Sequence, residues 1–285
     1  MLDISVIHAA LLGFIQGLTE FLPVSSSGHL AIVSKVLEYN TPGLLLEASV
    51  HIGTALAILI YFRKRIAFFI ESLVRNAGAD MFDSSGPHVN VVSRSRSVRL
   101  LGMLTLSFLC TCVVAMLIKG WATYAFDMPI FVGTLFVGTA IILGSTRFIG
   151  TQSGNSDLLG IGIKVAILVG VIQGLAVFPG VSRSGVTIVA ALWAGQNNQS
   201  AAEYSFFLAI PTIIAASIYS FWNVSYLSTD ISVELVLAAV VALVSGLIAI
   251  HWLMLWMRQG RLWWFSGYCM FVGVISIAGS FMGII

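Results

Sequence analysis

The sequence predicts an all-α, polytopic membrane protein built as an inverted-topology repeat of two units, each a re-entrant helical hairpin followed by three transmembrane helices. Three observations carry this prediction: 58% of the residues are hydrophobic and only 9% charged, apolar runs reach bilayer-spanning length, and one polar motif occurs twice. An average soluble domain carries about 25% charged residues, so water is not the solvent for most of this surface. The net charge of +2 is too small for a nucleic-acid partner, and lipid is the expected surrounding.

Spanning a hydrocarbon core takes about 20 apolar residues. Runs of that kind fall at about 44–62, 98–118, 128–149, 203–222, 233–254 and 263–285, which predicts six full spans. Four pieces, about 4–21, 27–38, 159–178 and 185–195, are shorter or broken by Gly and Pro and read as two hairpins. The chain is thus one integral membrane domain over residues 1–285, with repeat 1 at about 1–150 and repeat 2 at about 155–285. Residues 76–97 form the one extended polar stretch and are expected to be a surface loop. The N-terminus lacks a basic region and a small-residue cleavage site, so no removable leader is expected.

Basic residues orient the spans, because short loops rich in Lys and Arg stay cytoplasmic. Residues 63–99 hold seven of the fourteen Lys and Arg, which makes that loop cytoplasmic and puts both termini outside. Arg147, Lys164, Arg258 and Arg261 then fall on the cytoplasmic side, and only Lys35 and Lys119 on the other. Tryptophans 252, 256, 263 and 264 read as an interfacial belt. Cys110, Cys112 and Cys269 form no ligand cluster and are expected to be buried thiols.

The repeat is explicit when residues 13–32, GFIQGLTEFLPVSSSGHLAI, are laid over residues 170–189, GVIQGLAVFPGVSRSGVTIV. Ten of the twenty positions are identical at a constant offset of 157. Each hairpin is followed by an odd number of spans, so the second unit is inverted. The residue types have a physical reason: backbone that leaves a helix inside a bilayer must be satisfied by protein, water or ligand. Pro23, Gly28, Pro179, Gly180 and Gly185 allow the breaks, and the serines supply short hydroxyls. The second arm of each hairpin presents a positive helix start, and two such ends meeting would make an anion site. Gly13 with Gly17, and Gly170 with Gly174, have the small-xxx-small spacing that lets half-helices pack backbone to backbone.

Glu20, His29 and Arg183 fall within these motifs at membrane depth, where an unpaired charge costs at least about 2.5–3.5 kcal/mol. Such residues either form a structural ion pair or serve a function. Arg183 offers a planar fork of donors suited to phosphate oxygens. Glu20 is suited to a divalent metal or to taking a proton from a nucleophile, and His29 to proton transfer or attack on phosphorus. Ser26 is the rival nucleophile. Glu47 and His51, one helical turn apart, and Glu203, which opens the corresponding segment of the second half, are weaker candidates for the same cavity. Gln16 and Gln173 match in the repeat and are expected to hydrogen-bond across the hairpins or touch ligand. Inverted repeats with broken helices also build transporters and lipid flippases. Against that reading, Glu20 and His29 align with Val177 and Val186, whereas Arg183 aligns with Ser26, an asymmetry that suits catalysis.

GLTEFLPVSSSGHL and FPGVSRSGVT, with EASVHIGTALAIL and EYSFFLAIP between and beyond them, resemble the bacitracin-resistance type of undecaprenyl-diphosphate phosphatase. The resemblance implies hydrolysis of a polyprenyl diphosphate to the monophosphate and inorganic phosphate, which recycles the lipid carrier for cell-wall peptidoglycan synthesis and confers bacitracin resistance. It implies Glu20, Ser26, His29 and Arg183 as catalytic residues and a divalent cation, Mg²⁺ or Ca²⁺, on Glu20 and Glu47. Ser25, Ser27, Gly28, Ser182, Ser184, Gly185 and Thr187 are expected to cradle the diphosphate. Family members carry Glu or Gln at the position of Gln16, and the amide here leaves Glu20 to act with Glu47, with a phosphate oxygen or alone. The expected setting is the plasma membrane (the inner membrane where there are two), with the site opening outward. A homodimer is left open.

Overall fold

The computed structural model describes residues 4–36, 43–74, 81–83, 90–92, 94–126, 128–149, 158–222 and 233–283. The first hairpin is α1 (Ile4–Phe21) and α2 (Ser26–Val36), followed by α3 (Gly43–Tyr61), α4 (Arg63–Val74), α5 (Arg94–Phe126) and α6 (Pro129–Ser145). The second is α7 (Ile163–Leu175) and α8 (Arg183–Trp193), followed by α9 (Asn198–Trp222), α10 (Val233–Arg258) and α11 (Trp264–Phe281). Five of these helices are long and apolar enough to cross a membrane alone, and α3 with α4 makes a sixth, bent span. Their outward faces carry residues such as Leu109, Val113, Leu117 and Phe271, each more than half exposed, as a lipid-facing surface requires.

The two halves pack reciprocally. First arm α1 lies on α10, the middle span of the second half, and α7 lies on α5, the middle span of the first, while α6 pairs with α11 and α3 with α9. The paired glycines make these contacts, but not between the two half-helices as the spacing predicted. A Cβ on Gly13 or Gly17 would meet Ala238, Ala242 and Ser245 of α10, and one on Gly170 or Gly174 would meet Ser107, Thr111 and Val114 of α5. The long spans, not the opposite hairpin, are the surfaces continuous enough to receive a whole helical face.

Side-chain contacts identify the two ends of the bundle. Arg65 at the start of α4 pairs with Glu203 near the start of α9 at 3.0 Å. Asn198 Nδ2 donates to the Met257 carbonyl at the end of α10, and Arg147, just past α6, lies 5.1 Å over the Trp263 ring before α11. Arg65 and Arg147, both expected on one side, therefore lie at one end of the bundle. Lys119, near the end of α5, instead approaches the Tyr219 ring near the end of α9.

Two elements depart from the sequence reading. Residues 63–74 were expected within a loop and are helical, because Ile66 and Phe69 form an apolar stripe, with Phe69 edge-on to Phe207 of α9 at 5.9 Å. The chain turns by 71° between α3 and α4, which leaves Arg63 and Lys64 exposed at the bend. Within 76–97, Met81–Asp83 (β1) and Asn90–Val92 (β2) form a short antiparallel ladder, and α5 begins at Arg94. The strands are a local exception to an otherwise helical fold; the remainder of that stretch and His88 lie outside the described residues.

Candidate active site

Each hairpin turns over a serine at the same repeat position. A helix start leaves its first N–H groups without intrahelical partners, and Ser25 Oγ accepts the Gly28 N–H at 3.3 Å just as Ser182 Oγ accepts the Gly185 N–H at 3.2 Å. The copies then diverge. Ser25 has φ +66°, a left-handed conformation rare for a side-chain-bearing residue, and its hydroxyl also accepts the Gly180 N–H at 3.1 Å. One serine thereby caps its own half-helix and ties the opposite hairpin to it. Ser184 Oγ adds a bond to the Leu22 carbonyl at 3.2 Å, so the turns are joined in both directions.

Residues 26 and 183 are the first residues of α2 and α8, and both reach the last turn of α1. Arg183 Nη2 forms an ion pair with Glu20 Oε1. Ser26 Oγ donates to Glu20 Oε2 at 2.7 Å, and Gln16 Nε2, one helical turn back, donates to the same oxygen at 2.9 Å. Both oxygens of this buried carboxylate are thus engaged by side chains from two hairpins. Gln16 orients Glu20 and does not bridge the hairpins; its repeat mate Gln173 instead donates to Thr111 and Thr212.

These groups open onto a cavity of 430 Å³, whose wall includes Glu20, Ser25, Ser26, Ser27, Ser182 and Arg183. Glu47 and His51 line it too, and His51 Nδ1 donates to the Glu47 carbonyl at 2.7 Å. Glu203 does not line it: its pairing with Arg65 lies at the basic end, because inversion sends the start of α3 and the start of α9 to opposite ends. The wall also includes Phe126 and Ser220, from the ends of α5 and α9 remote from the basic residues. Among the described residues no group of three or more His, Cys, Asp or Glu is placed to hold a metal. Two carboxylates on one cavity, Glu20 and Glu47, fit a hard cation that completes its shell with phosphate oxygens and water.

His29 lies behind this wall. Its Nδ1–H donates to the Ser25 carbonyl at 2.8 Å, so Nε2 is the accepting nitrogen and takes the Tyr268 hydroxyl at 2.8 Å. The two rings stack within 4° of parallel, and Phe136 closes edge-on at 5.3 Å. Gly28, Ser184, Gly185 and Thr187 are likewise absent from the cavity wall. Gly28 leaves room for Phe136 and Gly180, Gly185 for Pro23, and Thr187 Oγ1 bonds Ser205 at 2.6 Å. Cys112 lines the cavity and is half-buried, whereas Cys269 is buried with its thiol on the Pro23 carbonyl. Tyr268 and Thr139, which joins the second turn through Gly180 and Ser182, were not singled out from the sequence. Both lie on long spans without a polar pattern, and only packing brings them to the hairpins.

The family model described as bacitracin resistance protein BacA matches residues 9–275. An undecaprenyl-diphosphatase of Desulfatibacillum aliphaticivorans is 36% identical, covering 97% of this chain and 99% of that protein. Proteins of the same name from Methanosphaera stadtmanae and Mycobacterium leprae are 35% and 33% identical, over 97% and 92% of this chain and 98% and 90% of their own lengths. A match of this extent, over a chain whose two repeat motifs build a single polar cavity, places the protein in the BacA bacitracin-resistance family.

Proposed function

We infer that the chain is an integral-membrane undecaprenyl-diphosphatase, which releases inorganic phosphate from undecaprenyl diphosphate and returns the monophosphate carrier to cell-wall synthesis. The observation that carries the chemistry is the convergence of Ser26, Glu20 and Arg183 on one cavity. Removal of undecaprenyl diphosphate also accounts for the bacitracin resistance in the family's name.

The diphosphate enters the cavity and takes Arg183, whose planar fork matches phosphate oxygens better than a single carboxylate oxygen does. Glu20, released from that pair, keeps Ser26 at hydrogen-bond distance and accepts its proton. Ser26 Oγ bonds to the terminal phosphorus as the bridging P–O bond breaks, and the prenyl monophosphate leaves. Water then hydrolyses the phosphoserine, giving inorganic phosphate and restoring Ser26. Engagement of the accepting nitrogen of His29 by Tyr268 supports Ser26 as the attacking group in this reading, with His29 holding the Ser25 turn and the start of α2. Ser27 and Ser182 remain on the wall for the diphosphate oxygens. A Mg²⁺ or Ca²⁺ ion held by Glu20 and Glu47 would offset the charge on those oxygens.

The gathering of basic residues at one end, with Phe126 and Ser220 of the cavity wall at the other, supports a plasma-membrane orientation in which the site opens outward. The described wall of the cavity is built from one chain, which supports activity as a monomer; light scattering of the purified active protein tests this against a homodimer. The central experiment measures phosphate release from a C55 lipid diphosphate and from a soluble diphosphate, with and without chelator. Release from the lipid, suppressed by chelator and by Glu20→Ala, His29→Ala or Arg183→Ala, is the expected result. Full activity in those variants overturns the assignment.

A further inference from the structure

The polar cavity adjoins a second space across a shared side chain. Phe108 of α5 lines the cavity and also lines the second space, of 440 Å³. On α9 the change occurs between neighbours, since Pro211 belongs to the second space and Thr212 to the cavity. The second space is an apolar groove between α5 and α9, bounded by Leu104 and Ile210 and continued under the bent helix α4 by Ile66 and Phe69. Ser97 and Thr105 are its only hydroxyl-bearing wall residues among those described. Its volume lies in the range of small-ligand pockets.

We propose that this groove holds the first isoprene units of the substrate, so that the tail is gripped by protein before it enters the bilayer. The proposal rests on the diphosphatase reading and extends it to tail recognition. A polar cavity that adjoins an apolar groove at one shared aromatic residue has the polarity sequence of a prenyl diphosphate: charged head, then branched hydrocarbon. Burying apolar area in a shaped groove in place of disordered lipid contributes through close packing. The gain is therefore sensitive to the groove's shape, and chain length becomes a basis for selection.

The test uses the full-length protein in nanodiscs with a C55 diphosphate that carries a diazirine within its first four isoprene units. Irradiation is expected to label residues 97–108 of α5 or 207–211 of α9. Labelling confined to α6 and α11, or equal to that left by a diazirine phospholipid, overturns the proposal. A second arm compares hydrolysis of the C55 substrate with that of a two-isoprene diphosphate too short to fill the groove. Leu104→Trp and Ile210→Trp should raise KM for C55 about tenfold more than for the short substrate, while Val113→Trp, on the lipid-facing side of α5, should change neither. Equal losses on both substrates, or none, overturn the groove. If the wild-type protein releases phosphate from neither, the diphosphatase reading fails instead, and the labelling pattern still decides where the tail binds.

Discussion

Ser26 and Arg183 occupy one position of the repeat, the first residue of the second hairpin arm, and both meet Glu20. The same scaffold thus delivers a hydroxyl from one side of a carboxylate and a cation from the other. Two predictions belong at this scale. Ser26→Ala removes the hydroxyl held at 2.7 Å from Glu20, so phosphate release should fall by about 10³-fold or more, as for other nucleophile deletions. Ser27→Ala should lose no more than about tenfold; equal losses in single-turnover assays would count against Ser26 as the attacking group. Tyr268→Phe removes the hydroxyl on His29 Nε2 but keeps the stacked ring. Since His29 is bonded to the Ser25 carbonyl and is proposed to act through that turn, kcat should drop about threefold to tenfold with KM nearly unchanged, whereas an equal rise in KM would point to direct substrate contact.

At the scale of elements, the hairpins are held by glycine contacts on spans of the opposite repeat. A Cβ at Gly17 would run into the α10 backbone at Ala242 and Gly246, while one at Gly102 would meet nothing within 4 Å. Gly17→Leu should therefore destabilise the protein by about 1–3 kcal/mol or more, the usual range for overpacking, and Gly102→Leu should be near neutral. Thermal unfolding in detergent, monitored by loss of monodisperse protein, checks this; equal stability of the two variants would show that α1 does not need its close approach to α10. The hairpins themselves were legible in the sequence because Pro and Gly interrupt apolar runs at one offset. Helix α4 was less so: three basic residues at its start marked a loop, and its apolar stripe acquired meaning only opposite Phe207.

For the whole molecule, inversion is the organising fact. It sends Glu47 to the cavity and Glu203 to the basic end, although both lie near the start of corresponding spans. The topology expected from the basic residues, six spans with both termini outward, predicts that a reporter phosphatase that folds only outside the cytoplasm is active when fused after Ile285, and that a reporter that works only in the cytoplasm is silent there. The opposite pair of results would invert the topology and turn the cavity toward the cytoplasm.

Fold class, family, the two hairpins and the chemical types at the site were determined by the sequence alone. Hydrophobic span length and a twenty-residue repeat are linear properties, and an ionisable residue in lipid is costly wherever it is placed. Which of those residues share a cavity was decided by tertiary structure. Ser25 and Ser27 both line the cavity wall, yet the Ser25 hydroxyl is spent on the N–H groups of Gly28 and Gly180. His29 belongs to the same motif as Ser26 but turns to Tyr268, 239 residues away. A half-helix spreads its residues around its axis, and only the long spans packed against it determine which side faces substrate and which faces protein.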